Sequence, residues 1–209
     1  MTGDTDGGIR MQRYAPRDLP GVYRVCAEVD ARGGKQPQRL QVPELAGHVF
    51  AGPYLVNDPA LGWVVADRLG VAGYIVGTAD AVAFEQWRER QWYPALRKRH
   101  PMPADGEAHG DDARYLRFLH SAPPQQSAPA ERSAYPAELH IKLAPRAAGL
   151  GWGRPLVEAL IDELRARDVP GLHLHVAEEN SSAIAFYERL AFRTLHRNDA
   201  SRTMIREIA

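Results

Sequence analysis

Cysteine is nearly absent: Cys26 is the single one in 209 residues. A disulfide framework and a cysteine-built zinc site are therefore excluded. Cys26 falls in an apolar-periodic stretch and reads as a small buried hydrophobe. No run approaches the ~20 apolar residues that a membrane-crossing helix needs. Lysine is scarce, with Lys35, Lys98 and Lys142 the whole set, so arginine carries most of the positive charge. Excess charge is missing too, since 26 Lys and Arg face 26 Asp and Glu. Nucleic-acid or membrane-surface binding driven by bulk charge is thereby excluded. Met1–Gly8 has no basic stretch and no apolar stretch. It is expected to be a short disordered leader rather than a signal peptide, and the expected location is the cytoplasm. What remains, 44% hydrophobic and 25% charged, is ordinary for a globular chain. Residues 9–209 are expected to form one domain large enough to need no staples.

Periodicity supplies the elements. Residues 9–14 alternate apolar and polar, as a strand does. Asp18 offers an N-cap to a helix with Leu19, Val22, Val25 and Cys26 on one face. Gly33, Gly34 and Pro37 break the chain, and a weaker helix is expected over 43–50. Leu61–Ala66 and Val71–Thr78 read as a hairpin joined by the four-residue turn Asp67–Gly70. Residues 81–136 are less regular and read as an insertion on the core. Phe84, Trp87, Gln91 and Trp92 suggest a helix that Pro94 ends or kinks. Gly106–Asp112 reads as a polar loop, Tyr115–Leu119 as a turn or two of helix, and Ser121–Pro136 as a surface loop. The last third runs strand 138–143, glycine turn 149–153, helix 154–167, strand 171–177, helix 180–190, then two final strands. That order indicates an α/β fold.

Two motifs carry chemistry. The first, Leu143-Ala-Pro-Arg-Ala-Ala-Gly149-Leu-Gly151-Trp-Gly153-Arg-Pro-Leu156, lies between a strand and a helix. Glycines turn the backbone tightly, and the following helix offers free N–H groups and the positive end of its dipole. Together they suit a pyrophosphate; the bland alternative is a tight turn with no ligand. A Rossmann loop is excluded because the third glycine comes one position early, and a Walker loop because no Gly-Lys-Ser/Thr follows. The second motif, Asn180-Ser-Ser-Ala-Ile-Ala-Phe-Tyr187-Glu-Arg-Leu-Ala-Phe192, reads as an amphipathic helix capped by Asn180.

These two motifs resemble the coenzyme A loop and the Asn-x-x-Ala-x-x-Phe-Tyr signature of the GNAT family of N-acetyltransferases. Within that family, Val71–Asp80, Trp92-Tyr93-Pro94, Tyr135-Pro136 and Phe186-Tyr187 resemble the acetyltransferase-like domains found at the C-terminus of O-GlcNAcase and free-standing in bacteria. The resemblance implies a mixed central sheet flanked by helices, with splayed central strands and a helical insertion at about 81–136, between strands 3 and 4. It implies acetyl-CoA as cofactor, held by Ile141, Leu143, Ala148, Gly149, Gly151, Trp152, Gly153, Arg154, Asn180, Ala183 and Tyr187. The preferred register puts Gly151 and Gly153 on the motif glycines and Ala148 where the family has Arg or Gln. A second register begins at Arg146. Ala191 replaces the glycine that follows the Tyr in the family.

The implied reaction is direct transfer of acetyl to an amine. Tyr187 would protonate the leaving thiolate. Asp80 is the first choice as base, with an N-cap as its equal alternative; Glu138 and His140 follow, and Glu28 is a distant fourth. His173 and His175 share a strand face, and with His140 they raise a three-histidine metal site, but packing is the expectation and no metal is predicted. Trp87–Trp92 and Arg97–His100 read as a solvated helix face with packed tryptophans. The partners expected are acetyl-CoA and an amine acceptor, with no nucleic acid and no membrane, in a monomer or homodimer. The rival reading is a catalytically impaired acetyl-CoA-binding module acting as a sensor or interaction partner.

Overall fold

The computed structural model describes residues 8–29, 40–103, 110–121 and 129–208. The leader up to residue 7, the break at Gly33, Gly34 and Pro37, and parts of the loops 106–112 and 121–136 lie outside the described residues. Seven strands form one mixed sheet in the order β1-β2-β3-β4-β5-β7-β6. They are β1 (Arg10–Arg13), β2 (Gly62–Asp67), β3 (Gly70–Thr78), β4 (Ala137–Leu143), β5 (Gly171–Ala177), β6 (Arg193–Arg197) and β7 (Ser201–Glu207).

Strand alternation feeds a core on each face. Trp63, Val65 and Ile75 point to one side with Leu139, Leu172 and Leu174. Helix α8 (Gly153–Arg165) covers that side with Leu156, Val157, Leu160, Ile161 and Leu164, all fully buried. Each such side chain stabilises by roughly 1.5–3 kcal/mol. Val64, Tyr74 and Val76 point to the other side. There they meet α1 (Leu19–Glu28), α2 (Glu44–Phe50) and α3 (Gly52–Asn57). The insertion helices α4 (Ala81–Trp87), α5 (Tyr93–Arg99) and α6 (Ala113–His120) join this second cluster through Phe84, Tyr93, Leu96, Tyr115 and Leu119.

Three local expectations need correction. Asp18 stands at the N-cap position of α1, but its carboxylate makes no cap bond there; it accepts from Ala15 N at 2.9 Å and closes the preceding 3-10 turn. The hairpin is tighter than four residues, because Asp67 and Gly70 pair as strand partners. The interruption expected at Pro94 is present: α4 ends at Trp87, and Pro94 lies in the first turn of α5. A π-helical turn at Arg88–Trp92 precedes it, and Tyr93 N donates to Arg88 O. The widened turn removes the need for the N–H that Pro94 lacks and relieves its ring. Finally, α7 (Pro129–Ala134) occupies part of the stretch read as loop.

The central pairing shapes the site. β4 pairs antiparallel with β3 along its whole length, from Gly73↔Leu143 to Thr78↔Glu138. Its parallel pairing with β5 covers only Ala137↔Leu172 and Glu138↔His173. Beyond those rungs the two strands part, as the resemblance implied. β5 turns instead to β7, paired from Gly171↔Glu207 to Ala177↔Ser201.

Candidate active site

The parting strands open a cavity of about 1040 Å³ lined from β4, β5, α9 (Ser181–Glu188) and the insertion. Ile141, Leu143, Asn180, Ala183 and Tyr187 line it together, so part of the expected coenzyme set converges. The glycine loop lies outside this cavity lining, between β4 and α8. Its inner turns use Ala147 N and Ala148 N, both on Ala144 O at 2.8 and 3.0 Å. Gly149 and Gly151 adopt φ of +75° and +87°. A Cβ at either would meet nothing within 4 Å, so conformation rather than space requires glycine there. Among the described residues, N–H of Gly149, Gly151 and Gly153 meets no backbone acceptor. Unpaired N–H groups at a helix start suit a phosphate. Gly153 differs: a Cβ there would stand 2.8 Å from Phe186 Cζ.

Arg146, where the second register begins, turns back to the hairpin, bonding Asp67 Oδ2 at 2.9 Å and Val71 O at 2.7 Å. Arg154, half-exposed on the first turn of α8, donates to Arg189 O at 3.1 Å. Trp152, at the N-cap of α8, packs against the first core.

Asn180 Oδ1 accepts from Ala183 N at 3.2 Å and caps α9 as expected. Tyr187 is buried with its ring against Phe186 and Phe192. Its hydroxyl has no protein partner among the described residues, and burial pushes its pKa up. It is therefore a protonated donor at neutral pH.

The opposite wall is polar. Tyr54 donates to Glu138 Oε2 at 3.1 Å, and burial followed by the Glu138 charge holds that phenol well above its usual range. His173 and His175 on β5 approach Glu138. His140 does not join them. Its Nδ1 lies 3.2 Å from Tyr74 Oη and its ring stacks on Phe50 at 5.2 Å. Burial, then Lys142 and Arg114, hold it well below the usual histidine range. The reason is the splay: past Glu138 each β4 residue stands farther from β5. The three-histidine grouping, the less favoured alternative to packing, does not form; Glu138, His173 and His175 come together instead. Tyr54 was not singled out from sequence, since nothing local marks a tyrosine in a short helix as a partner for a distant strand.

Asp80 has the capping role. Its Oδ1 accepts from Val82 N and Ala83 N, both at 2.9 Å, while its neighbours Ala81 and Val82 line the cavity. Glu28 is exposed at the end of α1. Trp87 and Trp92 pack face to face at 6.1 Å, and Trp92 Nε1 donates to His48 O at 2.8 Å, as a packed pair should. No helix among the described residues is long and apolar enough to cross a membrane.

Known proteins resemble this chain in fold or in sequence. The crystal structure of SsHAT has a TM-score of 0.85 at 32% identity, covering 96% of this chain and 98% of that one. The structure of yncA from Salmonella typhimurium with its cofactor acetyl-CoA has the same fold, with a TM-score of 0.55, 14% identity and coverage of 96% and 94%. Protein O-GlcNAcase of Rattus norvegicus is 22% identical over 178 residues, 85% of this chain. The chain spans only 19% of the length of that relative. The model of the acetyltransferase (GNAT) family matches residues 38–192. With that match over most of its length, the chain belongs to the acetyltransferase (GNAT) family.

Proposed function

We propose that this chain is an acetyl-CoA-dependent N-acetyltransferase that transfers acetyl directly to an amine. The observation that carries this reading is the unpaired β4 edge beyond Glu138, which lines one cavity with Tyr187. Acetyl-CoA supplies an activated acetyl thioester. The free edge near Ile141 and Leu143 suits an extended amide-bearing arm, which would add to the sheet as a strand does. Ala148, Gly149, Gly151, Trp152, Gly153 and Arg154 would cradle the pyrophosphate, and Asn180 and Ala183 would border the arm. Backbone N–H groups on the same edge would receive the developing oxyanion. Tyr187 would return a proton to the leaving sulfur. Glu138, a carboxylate oriented by Tyr54 and reaching the cavity, is better placed than the capping Asp80 to take the proton of the amine.

One observation favours the rival, a module that binds coenzyme without turnover. Ala148 has no side chain to grip a phosphate, and Arg146 is engaged at the hairpin. Calorimetric titration of acetyl-CoA into the wild type and Gly151→Asp tests both readings. Micromolar binding lost in the variant supports the coenzyme site, and turnover with an amine panel then separates enzyme from module. No binding to the folded wild type at millimolar acetyl-CoA overturns both.

A further inference from the structure

We propose that Glu138, His173 and His175 form a binding site for a zinc-type divalent cation at the root of the gap between β4 and β5. Their ligand atoms all lie within 4.8 Å of one another. The register explains the meeting. Glu138 and His173 are partners on the last rung that the two strands share. His175 follows two residues along β5, on the same face. All three sit on strands, and each lines the cavity.

The surrounding hydrogen bonds prepare each side chain as a ligand. His173 Nδ1 lies 2.8 Å from Tyr135 O. A carbonyl only accepts, so Nδ1 carries the proton, and the neutral ring keeps its lone pair on Nε2. His175 Nδ1 is 3.1 Å from Thr203 Oγ1, a hydroxyl that can accept from Nδ1 and so leave the Nε2 lone pair for a metal. Tyr54 holds Oε2 of Glu138 and leaves Oε1. Metal-binding histidines and carboxylates are oriented by outer hydrogen bonds of this kind.

The donor set selects the ion. Two imidazoles and one carboxylate suit zinc and its transition-metal neighbours, whereas calcium and magnesium want oxygen alone. Ligand atoms around tetrahedral zinc stand about 3.4 Å apart, so small side-chain rotations close the cluster. Three protein ligands leave the fourth position toward the cavity. One consequence rests on the acetyl-transfer reading, though the site itself does not: Glu138 cannot hold a cation and take a proton at once, so bound zinc would slow transfer.

The test is titration of the tag-free full chain with Zn²⁺ by calorimetry and with Co²⁺ by visible absorption. The expected result is one site per chain and the intense d–d bands of tetrahedral cobalt. His175→Ala and the double variant His173→Ala/His175→Ala should each abolish both signals with the fold retained by circular dichroism. Tyr54→Phe keeps all three ligands and should weaken zinc about 10–100-fold. His196→Ala removes an exposed histidine paired with Glu131 at 2.9 Å and should change nothing. Absence of one-site binding, or binding that survives in the double variant, overturns the proposal. Should His173→Ala fail to fold, His175→Ala and Tyr54→Phe decide it. Acetyl-CoA binding is read in a separate titration, so failure of the coenzyme reading leaves this result interpretable.

Discussion

Gly153 at the start of α8 lies under the ring of Phe186 in α9, and a Cβ on Gly153 would come within 2.8 Å of Phe186 Cζ. The two sequence motifs therefore touch. Contact between them fixes the helix that follows the glycine loop against the helix that bears Tyr187. Gly153→Ala should cost about 1–3 kcal/mol through overpacking. Phe186→Leu in the same chain should recover part of that loss. Urea unfolding of both single variants and the double decides it, and simple additivity would contradict the direct contact.

Ala191 ends α9 in a left-handed conformation, with φ of +61°. Phe192 N donates to Tyr187 O at 3.0 Å across it, the closing bond of a Schellman cap. A side chain is strained there, whereas glycine is not. Ala191→Gly should therefore stabilise the chain by about 0.5–1 kcal/mol. A lower melting temperature for the variant would contradict this.

Tyr187, Glu138 and Asp80 should separate in kinetics. Tyr187→Phe removes a hydroxyl with no protein partner among the described residues, so stability should hold while kcat falls about 100-fold or more. Glu138→Gln, which keeps the size but removes the basic carboxylate, should lower kcat about 100-fold or more with acetyl-CoA affinity retained. Asp80→Ala should instead cost about 0.5–2 kcal/mol as a lost cap. Asp80→Asn, which keeps an acceptor for Val82 N and Ala83 N, should retain both stability and turnover. A large kcat loss in Asp80→Asn would return the base to that residue.

His48 makes stability depend on pH. Burial first, then His100 and Arg99, hold its imidazole below the usual value. The unfolded chain thus takes up the proton at a higher pH than the folded one. Stability contributed by His48 is present above about pH 6.5, is lost as pH falls below it, and levels off beneath the folded value. Its Nδ1 sits 3.0 Å from Tyr23 Oη, a bond that glutamine can replace. Urea unfolding between about pH 8 and about pH 5 should show a shallower acid slope in His48→Gln. An unchanged slope would count against this assignment.

Much of the fold was legible in order along the chain because its causes are local. The stripe Leu156, Leu160, Ile161 and Leu164 announces α8, and all four are fully buried. Gly171–Ala177 is a strand with the boundaries expected, and Asn180 caps α9 through Ala183 N. Pro94 marks the interruption for a physical reason: its missing N–H suits the first turn of a new helix, entered through a π-turn that routes Tyr93 N to Arg88 O. Asp80 had two local readings, base and cap, and only its observed bonds to Val82 N and Ala83 N favour one.

What the sequence determined by itself, then, is the set of elements, the glycine loop and the capped helix that follows it, since propensity, periodicity and capping act within a few residues. What the tertiary structure decided is where the strands part. Strand pairing joins residues far apart in the chain, and nothing local to β4 or β5 says that their shared rungs end at Glu138 and His173. That one limit opens the cavity and exposes the β4 edge. It also separates His140 from the other histidines and brings Glu138, Tyr54, His173 and His175 together.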